Sequence, residues 1–297
     1  MNNPFKSRPG KILLYLIKLS LSVYILYRIS AKIDFIGALS GIGNLPVATI
    51  VLLLLLTVLR HTIQYYNWLF ALKINPGFKA QKSEVLASYL IGLPLRFALP
   101  GGHASFAKVF YVSNSSKIAS LWSTLLERSI MSWANWCFAA AAALFYYTDY
   151  APWIWIALFM FILMLPEFVK FALSFKPQWR PLRESYCKNA PFMMLFQIAN
   201  TLITYLQYWL ILMCFVPISG WETWVRMALV QFSNTIPITI AGLGLREGFA
   251  IHFLKTAGFS AEQAVSATLS LFIIHDVLPA LVGTGFLLKT SKSSSNN

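Results

Sequence analysis

Six stretches of this sequence, near residues 12–29, 46–72, 118–146, 153–174, 192–216 and 261–288, stay apolar long enough to cross a bilayer. Covering roughly 30 Å of hydrocarbon takes about 20 helical residues. Backbone N–H and C=O groups find no water there, so each stretch must satisfy them internally, as a helix. Two further apolar stretches, 84–113 and 223–258, are interrupted midway, the first by Leu99-Pro100-Gly101-Gly102 and the second by Pro237 through Gly242 and Gly244. Each half is too short to span, so each stretch reads as a broken, re-entrant helix pair. The expected fold is an all-α integral membrane protein of eight hydrophobic segments: six full transmembrane helices plus two re-entrant pairs. It forms one membrane domain over residues 1–297, with a short polar tail at 289–297. Composition agrees, because 58% hydrophobic and 11% charged residues depart from the roughly 45–50% and 25% of soluble domains. That leaves no room for a separate soluble domain of any size.

The formal charge of +14 is carried by short basic runs between apolar stretches. That pattern points to anionic lipid and a positive-inside topology, not to nucleic acid. Lys and Arg occur at the N-terminus, at Lys73, Lys79 and Lys82, at Lys117, at Lys170, Lys176, Arg180, Arg183 and Lys188, and at Lys289 and Lys292, whereas the loops near 147–152 and 217–221 have none. If the first interrupted stretch returns to its own side, every basic loop is cytoplasmic. A single crossing would instead translocate the basic loop at 170–188. The expected topology therefore puts both termini and the basic loop 175–190 on the cytoplasmic side of the inner (plasma) membrane. Lys6 and Arg8 ahead of the first apolar run could open a signal peptide, but no small-residue cleavage site follows Tyr27-Arg28, so a retained span is expected. Three cysteines, two of them inside apolar segments, imply no disulfide framework.

The two interrupted stretches resemble each other. Laid over one another without a gap, Pro94 falls on Pro237, Ala98 on Ala241, Gly101 on Gly244, Phe106 on Phe249, Ala107 on Ala250, Phe110 on Phe253 and Ser123 on Ser266. With the first copy entering from the cytoplasm and the second from outside, units of about 84–146 and 223–288 form an inverted repeat, and a substrate site is expected where the broken helices meet.

Ionisable side chains cost about 2.5–3.5 kcal/mol each at mid-membrane on insertion scales, so those present need a cavity or a partner. The candidates cluster at the breaks: Arg96, His103 and Lys108 with Gly101 and Gly102 at the first, Glu127 and Arg128 on the span that follows, Arg246 and Glu247 with Gly242 and Gly244 at the second, and His275 and Asp276 in the last span. Glycines let the backbone turn and start a new helix, whose free N–H groups favour an anion. With Arg96, Lys108, Arg128 and Arg246 nearby, a phosphate fits. The plainer alternative is that Glu127-Arg128 and Arg246-Glu247 are neutralising pairs that hold helices together, and that His275-Asp276 is a structural hydrogen bond. Arg60-His61 and Arg226 sit near span ends, where snorkelling accounts for them, and the Trp and Tyr at 146–155 and 205–224 read as interfacial belts. No metal-ligand spacing, cofactor fingerprint or nucleophile elbow is present, so no cofactor is expected.

The run Ile240-Ala241-Gly242-Leu243-Gly244-Leu245-Arg246-Glu247-Gly248, followed by Ala257-Gly258-Phe259-Ser260-Ala261-Glu262-Gln263-Ala264 and later Pro279, resembles the C-terminal signature of the lysylphosphatidylglycerol synthase transmembrane family, also called flippase-like. Pro100-Gly101-Gly102 with Lys108, then Leu126-Glu127-Arg128, resembles the same family's first half. Ser105 stands where the family carries an acidic residue, and Phe272 where it carries an arginine. The resemblance implies inverted re-entrant helices and translocation of a lipid with a charged or phosphorylated head group. In fused members a soluble domain makes the lysyl-lipid, and here the sequence stops at Asn297 just after the last apolar stretch, so synthase activity is not expected.

Two functional classes follow. One is a flippase or scramblase for an anionic phospholipid or polyprenyl-phosphate-linked lipid. The other is a membrane-embedded enzyme acting on a lipid phosphate, with Glu127, Glu247, His103 and His275 as acid/base candidates. A DedA-type lipid-carrier recycling protein shares the re-entrant architecture. The sequence lacks a recognisable nucleophile with its base, which favours transport.

Overall fold

The computed structural model describes residues 43, 45–79, 81–98, 100–113, 116–236 and 242–295, and among these every regular element is helical. The apolar stretch at 12–29 lies outside them. The stretch at 46–72 folds as α1 (Val47–Lys73), and the first interrupted stretch as α2 (Lys82–Ala98) followed by a 3-10 segment (Pro100–Tyr111). Then come α3 (Lys117–Tyr146), α4 (Pro152–Leu163), α5 (Leu165–Ala172) and α6 (Arg180–Leu212). The second interrupted stretch gives α7 (Gly220–Phe232), a short 3-10 turn (Ser233–Thr235) and α8 (Leu245–Lys255). Last are α9 (Ala261–Phe272), a π turn (Ile273–Val277) and α10 (Leu278–Ser295).

Among the described residues four segments are long and apolar enough to cross a membrane: Val47–Lys73, Pro152–Ala172, Pro177–Leu212 and Ala261–Phe286. This is a multi-pass membrane protein. The span read at 118–146 is one unbroken helix, α3, but Ser, Asn and five consecutive alanines dilute its apolar half and Glu127-Arg128 charge the other. The span read at 153–174 is divided at Met164, because Pro166 has no N–H to continue the helix and starts a new one instead. The helices also run further than the apolar stretches. The basic loop of 175–190 is helical from Arg180, with Pro181 in the first turn, and the tail of 289–297 continues α10 through Ser295.

The long helices α1, α3 and α6 organise the rest. One apolar cluster gathers Leu53 of α1, Ala142 and Ala143 of α3, and Tyr205 to Leu212 of α6 with side chains of α7, α8 and α9. A second gathers Trp68 to Leu72, Ile130 to Ala140, and Tyr186 to Met193 with side chains of α2 and the 3-10 segment. α1 and α6 thus build two cores at opposite ends, and α3 joins both along its C-terminal half. On α1 and α6 a polar stretch separates the cores, with Thr57 and Gln64 buried on the one and Gln197, Asn200, Thr201, Thr204 and Gln207 on the other, and α3 adds the buried Thr124 and Glu127. Buried polar groups must find partners or water, so this polar layer, and not the apolar ends, is where a site has to lie. Outward faces are apolar: Val51, Leu55 and Val58 of α1 and Trp153, Ile156 and Met160 of α4 are exposed, as lipid contact requires.

α2 packs against the 3-10 segment and against α10. At that second contact Gly283 lies so close to α2 that a Cβ there would collide with the Leu90 carbonyl oxygen. Tyr205 and Tyr208, read as belt residues, are buried at 4% and 1% exposure, whereas Trp153 and Trp221 are exposed.

Candidate functional site

A cavity of about 330 Å3 occupies the polar layer, walled by all three long helices, α2, the 3-10 segment, α8 and the π turn. Among the described residues Arg60, Lys108, Arg128 and Arg246 bring positive charge to its wall, and Glu127 and Asp276 negative charge. The remaining wall is mostly amide and hydroxyl: Gln64, Asn135, Gln197, Asn200, Thr201 and Thr204, with Gln231 and Asn234 from the second break.

The first break supplies Lys108. Its ammonium forms a buried ion pair with Glu127 Oε2 of α3 and lies 3.6 Å from the centre of the Trp68 ring. The lysine stem passes Gly92 of α2, where a Cβ would stand 3.3 Å from Lys108 Cδ, so the glycine makes room for it. A desolvated cation over indole gains about 2 kcal/mol or more, which helps to offset the cost of burying both charges. In the plainer of the two sequence readings Glu127 neutralises Arg128. Glu127 turns instead to Lys108 while Arg128 lies over the Phe106 ring at 5.2 Å, also on the cavity wall.

The second break makes a local clamp. Gly242 and Gly244 adopt φ of 79° and 84°, a region L side chains rarely enter. A Cβ at Gly242 would also meet Asn234 Oδ1 at 2.6 Å. The turn delivers Gly244 as N-cap of α8, and Glu247, three residues on, reaches back so that its Oε2 accepts the Gly244 N–H at 2.6 Å. Its Oε1 accepts from Arg246 Nη2 at 2.8 Å and Nε at 3.2 Å. Glu247 is wholly buried and Arg246 is 4% exposed, with its guanidinium 5.2 Å from the Phe272 ring centre. The anion expected at this helix N-terminus is therefore present as the chain's own carboxylate. Arg246 lines the cavity in front of it, within electrostatic reach of Asp276.

A hydrogen-bonded relay crosses the same layer. Gln207 donates to the Leu53 carbonyl and to Thr57 Oγ1, each at 3.0 Å, which leaves its Oε1 to accept from His275 Nε2. The His275 carbonyl lies 3.2 Å from His61 Nε2, and since a carbonyl only accepts, that nitrogen carries the proton. His61 Nδ1 then pairs with the Tyr89 hydroxyl at 2.7 Å. His275 is thus bonded to Gln207, and its side chain belongs to the frame of the cavity.

Of the residues singled out in the sequence, Lys108, Glu127, Arg128, Gly242, Arg246, His275 and Asp276 meet on the cavity wall, with Gly244 and Glu247 directly behind. Gly101 and Gly102 fall in the 3-10 segment. The side chains of Arg96 and His103 lie outside the described residues. Arg60 and His61, assigned to snorkelling, instead line the cavity. Arg226 is not on the cavity wall and is bonded to Glu222 at 2.7 Å and to the Phe253 carbonyl at 2.5 Å. What sequence reasoning missed is the amide wall. Its signal was available: Gln197, Asn200, Thr201, Thr204, Gln207 and Tyr208 recur every three to four residues, one polar stripe along an otherwise apolar helix.

The sequence profile of the family described as the lysylphosphatidylglycerol synthase TM region matches residues 15–283, nearly the whole chain. The chain belongs to this family. Membership ties it to lipid handling in a membrane, and the matched range takes in every cavity-lining residue named above. No curated protein matches the chain.

Proposed function

We propose that this chain moves an anionic, phosphate-bearing lipid, a phospholipid or a polyprenyl-phosphate conjugate, between the leaflets of the plasma membrane, as a flippase or scramblase. The observation that carries this reading is the cavity itself: Arg60, Lys108, Arg128 and Arg246 line one polar space, Lys108 and Arg246 buried. Among the described residues, four cations beside three carboxylates, counting Glu247 behind the wall, make the surroundings of the cavity net positive, which favours an anion. An entering phosphate exchanges one charge-assisted pair for another without baring a cation, which keeps binding weak enough for release. The full arrangement in this reading has six spans and two re-entrant pairs in an inverted repeat, with both termini and the basic 175–190 stretch cytoplasmic. The matched positions of the two breaks and the Lys/Arg asymmetry support it.

Reconstitution into liposomes with fluorescent phosphatidylglycerol, scored for leaflet exchange and for product formation, tests the reading. Arg246→Ala and Arg128→Ala are expected to abolish exchange, and Arg246→Lys to restore only part of it, because a point charge lacks the bidentate fork. Wild-type exchange by Arg246→Ala would overturn the assignment, and a chemically altered lipid would move the chain to the membrane-embedded enzymes.

A further inference from the structure

An apolar groove of about 470 Å3 lies beside the charged cavity, between α3, α4, α7 and α8. That volume is within the roughly 300–1,000 Å3 usual for ligand sites. Its floor is Ala139, Ala140 and Ala143 of α3, whose small side chains leave the space. Its lip is formed by Leu158 and Phe161 of α4, which are 41% and 59% exposed and so belong to the apolar outer surface. Tyr147 stacked on Trp155, ring centres 5.5 Å apart, forms another part of the wall.

The groove and the cavity share their walls. On α3, Ser132 and Asn135 line the cavity while the next residue, Trp136, lines the groove. On α7, Gln231 faces the cavity and Phe232 the groove. One hydrogen bond joins the two spaces, because Trp136 Nε1 donates at 3.1 Å to the hydroxyl of Thr235, a cavity residue. An apolar space open to the hydrocarbon side and ending at a charged cavity has the polarity sequence of a lipid, tail then head group.

We propose that this groove binds a hydrocarbon chain of the lipid whose phosphate enters the cavity, with the link between tail and head group passing Trp136 and Thr235. The proposal rests on the phosphate-lipid reading above. An acyl chain suits the space because it is flexible and restores the dispersion contacts that an unfilled groove forfeits. Burying it against Ala139 and Ala143 also fixes the lipid at one depth, so the head group meets the cations in register.

The test uses the full chain in detergent with a near-stoichiometric amount of phosphatidylglycerol carrying a photoreactive diazirine in one acyl chain, and water-soluble glycerol 3-phosphate as a probe of the cavity alone. Crosslinks are expected to concentrate on Leu158, Leu229 and Phe249 and to be competed by unlabelled phosphatidylglycerol. Leu158→Trp, which narrows the groove from its exposed lip, is expected to cut crosslinking at least tenfold and to leave glycerol 3-phosphate binding within twofold. Crosslinks spread over lipid-facing residues such as Leu55 and Val58 would overturn the proposal, a result that needs no variant. So would undiminished crosslinking in a folded Leu158→Trp, and a change of oligomeric state in that case would assign the groove to a second copy of the chain. If the wild type binds no glycerol 3-phosphate yet crosslinks in the groove, the phosphate reading fails and the groove stands.

Discussion

Lys108–Glu127 and Arg246–Glu247, two buried ion pairs, are built in opposite ways. Lys108 reaches Glu127 from a different element, steadied by Trp68 and by the space at Gly92, so that pair exists only once the 3-10 segment has docked on α2 and α3. Arg246 and Glu247 are neighbours in sequence, and Glu247 also holds the Gly244 N–H. The first pair is a tertiary contact with one task. The second is part of a helix cap and has two. A carboxylate tied to a backbone N–H and a guanidinium together costs more to displace, so in the proposed exchange with phosphate Glu127 is the one that yields, and Glu247 stays to hold Arg246 in place.

Removing Glu247 tests this contrast most severely. Glu247→Ala leaves a buried guanidinium without its carboxylate and a backbone N–H without its acceptor, with an expected loss of about 3–5 kcal/mol in equilibrium unfolding in mixed micelles. A loss below about 1 kcal/mol would show that the cap is dispensable. Replacing the whole local pair, as Arg246→Met with Glu247→Leu, removes both charges and still orphans the Gly244 N–H, so about 1–3 kcal/mol should remain lost. Gly242→Ala forces a Cβ into a left-handed turn beside Asn234, and about 1–2 kcal/mol is expected from the backbone alone. The smallest effect falls on the tertiary pair. Lys108→Met with Glu127→Leu should change stability by less than about 1 kcal/mol, since a well-packed apolar replacement of a buried pair is often neutral or better, while lipid exchange in the same protein is lost. Equal penalties for the two double variants would erase the distinction between them.

Some of this was legible in the residues. The run of 46–72 and the helix of 47–73 agree within a residue, because a long apolar run with a single arginine has few alternatives in a membrane. The helical start at Arg180 was not legible. Hydropathy registers composition, and a basic amphipathic stretch reads as loop although Pro181 opens a helix well. At the site, the cost of a membrane charge pointed to Lys108, Glu127, Arg128 and Arg246, but not to which would pair. Side-chain direction decides that, and it sent Glu127 away from its neighbour. Arg60 and His61 were placed by distance from a span end, a one-dimensional measure, whereas their face of α1 turns inward.

The π turn at Ile273–Val277 has a consequence for assembly. A π turn holds one residue more than the α-helical screw calls for, and each residue advances that screw by about 100°. Everything after it is phased by that surplus. α9 addresses α8 and α6, whereas α10 addresses α2, where Gly283 touches the Leu90 carbonyl. Deleting one residue from the turn would restore ideal winding and rotate α10 by about a quarter revolution, carrying Gly283 off its seat and turning a bulkier neighbour toward α2. The irregular turn thus sets the azimuth of the final helix.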